Sequence, residues 1–292
     1  MRGKDPKQAK PQKPKIAVFG SAGVGKTWST LDWPKCYFID SEGGANLPHY
    51  TDRLKKVGAL YVGPEDGASD PEVIVSEFKD LATKKHDRLT AVLDAYTHVW
   101  NSELQREYQR LLDRGQSPEG FFGRDKKPAI AWTRKLMSWI DKLDMNVLLI
   151  CHAKDEWRDQ KVVRRIFDGY EKLEYHLNLI LEMEKQGPRR MAKVIKSRFA
   201  EFPEGDGFEW SYKLFADRFG IETLEATAKP IQLASPEQVS ELVGLIEALR
   251  IEADTLDKWR EKAQVETWAE MDSDSIGKCI DYLKNKLPKS AA

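Results

Sequence analysis

Short apolar runs alternate with stretches of helical spacing through the first 200 residues. The segments Ile16–Phe19, Cys36–Ile39, Leu89–Leu93 and Asn146–Ile150 predict buried strands. They end respectively at a glycine-rich turn, Asp40, Asp94 and Cys151-His152. Apolar residues three and four apart predict helices over 71–83, 97–113 and 128–144, with Trp132, Leu136, Trp139 and Leu143 on a core-facing stripe. Strands alternating with helices predict an α/β domain with a mainly parallel sheet. Such sheets bind ligands just past the carboxyl ends of their strands. After residue 176 the pattern changes, and Leu177–Met183, Met191–Ser197 and Trp210–Phe215 predict three consecutive antiparallel additions. From Ser235 onward the spacing is helical throughout. Pro236 opens one helix and Asp272-Ser-Asp-Ser another, with Trp259 and Trp268 expected to stabilise the small domain they form.

Charge refines this organisation. Lys+Arg and Asp+Glu both number 47, so the whole-chain charge indicates no class of partner. Residues 1–15 carry six Lys/Arg against one Asp and include three prolines, the composition of a basic arm. Residues 231–292 carry eight Lys/Arg against twelve Asp/Glu. The pairs Lys229-Pro230 and Ser235-Pro236 bracket a short linker. The expected parts are a basic arm over 1–14, an α/β core over 15–228 and a small helical domain over 235–287. The cysteines Cys36, Cys151 and Cys279 are scattered and odd in number, which excludes a disulfide framework or a zinc site as the organising principle. No apolar run reaches the length of a membrane span, and no apolar stretch follows the basic amino terminus. A cytoplasmic protein without membrane contact is expected.

The sharpest chemical signal is Gly20, Ser21, Ala22, Gly23, Val24, Gly25, Lys26 and Thr27, which match G-x-x-x-x-G-K-[ST] directly behind a predicted strand. Glycines let backbone N–H groups converge on phosphates, and a helix starting at Lys26 adds its positive end. Lys26 is expected on the β- and γ-phosphates and Thr27 on Mg²⁺. Asp94, at a strand end, is placed to supply the carboxylate the metal requires, although a strand-ending Asp can also cap the next helix. Asp40 or Glu42 is placed to orient the attacking water, with Glu42 reaching further from the strand end. Tyr50 and His49 are candidates to stack on adenine, although a core or loop role suits each better.

These residues resemble the RecA-like recombination ATPases over roughly 15–219. The segment Cys36–Gly44 is similar to the stretch carrying their catalytic glutamate, which falls on Glu42. His152 stands where the family has a γ-phosphate-sensing Gln, so the sensing position carries a different side chain. The polar segment 153–169 occupies the place of a DNA-binding loop, and 169–176 that of the helix behind it. In Ala192–Ala200, Lys196 and Arg198 fall on two basic residues that reach a neighbouring subunit's ATP. The long amino-terminal polymerisation helix and large carboxyl-terminal domain of RecA are absent. The remainder is similar to short phage ATPases that act in single-strand annealing, and the tail to small modules on phage annealing proteins.

The resemblance makes 15–228 a RecA-like ATPase core. It implies a P-loop NTPase that uses ATP and Mg²⁺, forms a homo-oligomeric ring or filament and works in the host cytoplasm if phage-encoded. Two loops carry the basic and aromatic mixture suited to single-stranded DNA. One holds Lys154, Trp157, Arg158, Lys161, Arg164, Arg165 and Phe167, the other Phe121, Phe122, Arg124, Lys126 and Lys127. The expected activity is ATP-dependent annealing or strand pairing, with the tail recruiting a single-strand-binding or other recombination protein. A helicase-like motor and a nonenzymatic ATP-gated adaptor are the alternatives.

Overall fold

A strand covered on both faces reads as an unbroken apolar run, and β1 (Lys15–Gly20) is buried along its whole length. A computed structural model describes residues 12–117, 126–263 and 265–287. After β1 come α1 (Lys26–Thr30), β2 (Cys36–Asp40), α2 (Pro48–Lys56), β3 (Leu60–Val62), α3 (Pro71–Thr83), β4 (Thr90–Asp94) and α4 (Tyr96–Asp113). They are followed by α5 (Lys127–Lys142), β5 (Asn146–Arg158), β6 (Lys161–Phe167), β7 (Leu179–Gln186), β8 (Arg189–Ser197) and β9 (Gly207–Glu209). The helices α6 (Tyr212–Phe219), α7 (Ile221–Leu224), α8 (Pro236–Ala248), α9 (Ala253–Ala263) and α10 (Ser273–Lys284) complete the order.

The main sheet runs β3-β2-β4-β5-β1-β7-β8-β9, with β6 paired to β5 alone. Pairings from β3 to β7 are parallel. This is an α/β P-loop fold with a mainly parallel sheet and a helical carboxyl-terminal part. The strand behind the phosphate motif, β1, is separated from the Asp94 strand, β4, by β5. All three therefore deliver their carboxyl ends to one edge. Lys15, at the opposite end of β1, is buried and donates to the carbonyls of Leu143 (2.6 Å) and Met145 (2.7 Å). Burial lowers its pKa to about 7, although Asp141 and Asp144 act in the other direction.

The structure departs from the sequence expectations at three places. First, β7 is parallel to β1, and the antiparallel additions begin only at β8. Second, 153–169 is largely a β-hairpin rather than a loop. β5 continues to Arg158 and turns through Asp159 (φ 48°) and Gln160 (φ 61°) into β6. Two left-handed residues make the turn that matches strand twist, here without the glycine that announces it. The segment behind it, Glu171–Tyr175, is a short 3₁₀ helix. Third, Trp210–Phe215 is not a strand. Ser211 caps α6 by accepting from the Leu214 N–H, while Phe215 and Ala216 are buried on the helix. Trp210 packs with Trp33 and Phe215 in the core.

The chain divides into two compact units, one ending at Lys229 and the other comprising Asp80–Lys85 and the residues from Pro230 onward. In the second, Leu242, Ile246, Val265, Met271, Ile276, Ile280 and Leu283 form a core, with Trp259 and Trp268 packed against it. Ser235 and Gln238 form a capping box at the start of α8, and Asp272 caps α10. No helix among the described residues is long and apolar enough to cross a membrane.

Candidate active site

The turn after β1 is shaped by close backbone approach. A Cβ on Gly20 would meet the Met183 carbonyl of β7 at 2.6 Å, and Gly25, the cap of α1, has φ +91°. A side chain is sterically excluded at the first position and strained at the second. The loop opens into a cavity of about 730 Å³ lined by Gly20, Ser21, Ala22, Gly23, Gly25, Lys26, Thr27, Glu42, Asp94 and His152, together with Trp28, Tyr50, Ala153 and Arg190. Val24 packs against the core instead. Lys26 Nζ donates across the loop to the carbonyls of Gly20 (2.9 Å) and Ser21 (3.0 Å). Partial burial lowers its pKa, opposed by the charges of Asp94 and Glu42.

The carboxylates around this cavity have different surroundings. Asp40 is buried with both oxygens engaged. Oδ1 accepts from the N–H groups of Glu42 (3.2 Å) and Gly43 (2.9 Å), and Oδ2 from the Ala45 N–H (2.7 Å) and Tyr61 Oη (3.0 Å). Asp40 thus holds the turn that presents Glu42. Glu42 faces the cavity with one oxygen 3.2 Å from His152 Nε2. Asp94 is buried, which raises its pKa to about 7, with Asp40 and Glu42 adding in the same direction and the Thr27 hydroxyl hydrogen bond and Lys26 opposing. No cluster of three His, Cys, Asp or Glu side chains suited to a metal exists among the described residues. Thr27 and Asp94 together offer two hard oxygen donors beside a phosphate loop, the donor set of a Mg²⁺ ion that takes its other ligands from phosphate and water.

A model of the AAA domain matches residues 12–208, the stretch holding this cavity and the sheet that builds it. The chain belongs to the AAA domain family. It is accordingly a P-loop ATPase. No curated protein matches the sequence. One solved structure that matches is the crystal structure of the RadB recombinase, at 17% identity and a TM-score of 0.43, covering 67% of this chain and 86% of that one.

Other residues singled out in the sequence lie elsewhere in this AAA domain chain. Lys196 opposes Ile180, which is in register with Ala17, three residues before Gly20 on β1. The Arg198 N–H donates to Asn178, whose own N–H donates to Lys15. Both side chains are thus near the far end of β1, on the order of 10 Å or more from the phosphate loop. There Lys196 binds the carbonyls of Glu174 and Leu177, and Arg198 that of Tyr175 (2.6 Å).

The β5–β6 hairpin rises directly from the cavity, because β5 is buried up to Cys151 and exposed from His152. Its foot is tied to α4. Thr97 Oγ1 donates to the Asp168 carbonyl (2.6 Å) and accepts from the His152 N–H (2.9 Å), while Asn101 Nδ2 donates to Asp168 Oδ2 (3.0 Å). Trp157 is 63% exposed, and Val162 and Val163 are exposed beside it. Glu156 pairs with both Arg158 (2.8 Å) and Arg164 (2.5 Å), which hold its pKa below the usual carboxylate range. Lys161 is exposed at the turn. Arg165 differs from its neighbours by reaching back to donate to Ser21 Oγ (3.2 Å). Lys126 and Lys127 are exposed at the start of α5, whereas Arg124, Phe121, Phe122 and most of the basic arm lie outside the described residues.

Two residues of the site, Trp28 and Arg190, carry no signal in the sequence. Trp28 directly follows the motif, a position the motif leaves open. Arg190 lies on β8 and reaches the loop only through the β1–β7–β8 pairings, so nothing local marks it.

Proposed function

We propose that this chain is a DNA-dependent ATPase that binds single-stranded DNA and promotes annealing or strand pairing during recombination. The observation supporting the reading is the continuity of β5, which carries His152 at the nucleotide cavity and then becomes one arm of an exposed basic and aromatic hairpin. Basic side chains follow phosphates and an exposed indole stacks on bases without sequence preference. On this reading Lys26 and the loop amides hold the phosphates, while Thr27 and Asp94 hold Mg²⁺. That ion neutralises charge on the transferring phosphoryl group. Glu42 orients the attacking water and accepts its proton, with His152 positioning Glu42. Lys196 and Arg198 act on the ATP of an adjacent subunit in a ring or filament. The acidic tail unit serves as a docking module for a single-strand-binding or other recombination protein.

Steady-state hydrolysis with and without single-stranded DNA, paired with annealing of complementary oligonucleotides, tests the proposal. Stimulated hydrolysis with accelerated annealing is expected. Processive unwinding would select a helicase-like motor. Negligible hydrolysis with nucleotide-dependent partner binding would select an adaptor.

A further inference from the structure

We infer that Arg190 is a nucleotide-binding residue of its own chain, a guanidinium clamp on the phosphates nearer the nucleoside. The inference rests on the nucleotide reading of the Gly20–Thr27 loop. Arg190 lines the same cavity as that loop. Its side chain lies directly on the loop's last glycine, since a Cβ at Gly25 would fall 2.1 Å from Arg190 Nε and 3.0 Å from Cδ and Cζ. Gly25 therefore serves two purposes: it adopts φ +91°, and it leaves room for the guanidinium.

The state of the Arg190 side chain points to a ligand. Nε is buried and has no hydrogen-bond partner, a costly condition for an N–H that an incoming oxygen would relieve. The backbone beneath it is fixed by strand pairing with Lys185 and by the Trp210 N–H, which donates to the Arg190 carbonyl (2.7 Å). Its guanidinium carbon stands 5.9 Å from the centre of the Trp28 ring. The other guanidinium on that ring, Arg53 at 4.0 Å, is already paired with Asp32. Arg190 makes no ion pair among the described residues. One cation on Trp28 is thus neutralised, whereas the one facing the cavity is available.

Position along the nucleotide follows from the cavity's polarity. Glu42, Asp94 and His152 mark the end where water and metal act, the γ-phosphate end. Trp28 lies one residue beyond Thr27 in the first turn of α1, where helix amides face phosphates nearer the nucleoside. Arg190, over Gly25 and Trp28, takes that side. A planar fork of donors suits two phosphate oxygens at once, which a lysine ammonium does not reproduce. The interaction belongs to ADP and ATP alike, so Arg190 retains the nucleotide without reading its γ-phosphate.

The test titrates the full chain with fluorescently labelled ADP and with a slowly hydrolysed labelled ATP analogue, both with Mg²⁺. Arg190→Ala is expected to weaken both about 10-fold, as removal of a charge-assisted hydrogen bond does. Arg190→Lys should recover only part of that affinity. The unfolding midpoint without nucleotide should not fall below the wild-type value, while the rise on adding ADP shrinks. Arg190→Lys also carries the test if the alanine variant does not fold. Wild-type affinity in Arg190→Ala, or in Arg190→Lys in that case, overturns the proposal. So does a loss confined to the ATP analogue, or a lower midpoint with unchanged affinity. Failure of the nucleotide reading gives a different result: the wild-type chain binds neither nucleotide, or Lys26→Ala binds as well as wild type.

Discussion

At the scale of single residues, the two acidic side chains at and just past the end of β2, Asp40 and Glu42, differ in their hydrogen bonding. Asp40 spends its lone pairs on three backbone N–H groups and Tyr61, which leaves it no free acceptor for water. Glu42 faces the cavity and is met by His152. Glu42→Gln is therefore expected to keep ATP affinity and slow hydrolysis by about 10²–10⁴-fold, since an amide cannot take the proton. Asp40→Asn presents an NH₂ where an acceptor is needed, so it should lower the unfolding midpoint and misplace Glu42. Parallel turnover and thermal-unfolding measurements separate the two. Turnover unchanged in Glu42→Gln removes that residue from the chemistry. On the hairpin, Lys161→Ala with Arg164→Ala should weaken single-strand binding and flatten its logarithmic salt slope by about 0.7 for each phosphate no longer neutralised. Trp157→Ala should weaken binding with the slope intact, because stacking releases no counterions. Binding isotherms at several salt concentrations distinguish these outcomes, and unchanged affinity in both variants would make the hairpin an ordinary surface.

At the scale of elements, the legible parts are those whose signal is local. Uninterrupted apolar runs announce β1, β2, β4 and the buried half of β5, and the phosphate motif is contiguous. The hairpin reads as a loop in the sequence because its strands are exposed and charged, so no burial pattern marks them, and its turn is Asp159-Gln160 rather than a glycine pair. Trp210–Phe215 misleads for a similar reason, since six residues with aromatics at both ends fit a strand until the Ser211 cap is recognised. Arg190 and the engagement of Asp40 depend on strand register and backbone geometry, which no local spacing encodes. Lys15 opens β1 yet is buried, and its strand position makes a pH prediction. Its folded pKa is depressed to about 7 from the ordinary 10.5. Between those values the unfolded chain holds more protons, so this group makes stability rise with pH, by on the order of 4 kcal/mol across the interval. Below pH 7 its penalty is constant. Chemical denaturation from pH 7 to 10 should show this upward contribution in wild type relative to Lys15→Met, whereas identical pH dependences would mean that Lys15 titrates normally in the fold.

At the scale of the whole molecule, the sheet keeps two groups of charged side chains at opposite ends of β1. Lys196 and Arg198 are held near the amino-terminal end of β1 by backbone carbonyls, while Lys26, Glu42 and Asp94 gather at its carboxyl end. Residues fixed on neighbouring strands do not exchange ends of a sheet, so any action of Arg198 on ATP must be on another subunit's nucleotide. Complementation tests this. Arg198→Ala protein and Glu42→Gln protein should each hydrolyse ATP poorly alone. Mixed, they form interfaces pairing an intact Glu42 from one chain with an intact Arg198 from its neighbour. Hydrolysis should recover in proportion to those interfaces, so that an equimolar mixture exceeds the average of the two parent rates. Recovery should also depend on total protein concentration, as assembly does. If the variants co-assemble, as shown by co-purification of differently tagged chains, and the mixture still gives only the average rate, Arg198 does not complete a shared site. In that case its bond to Tyr175 serves the fold alone.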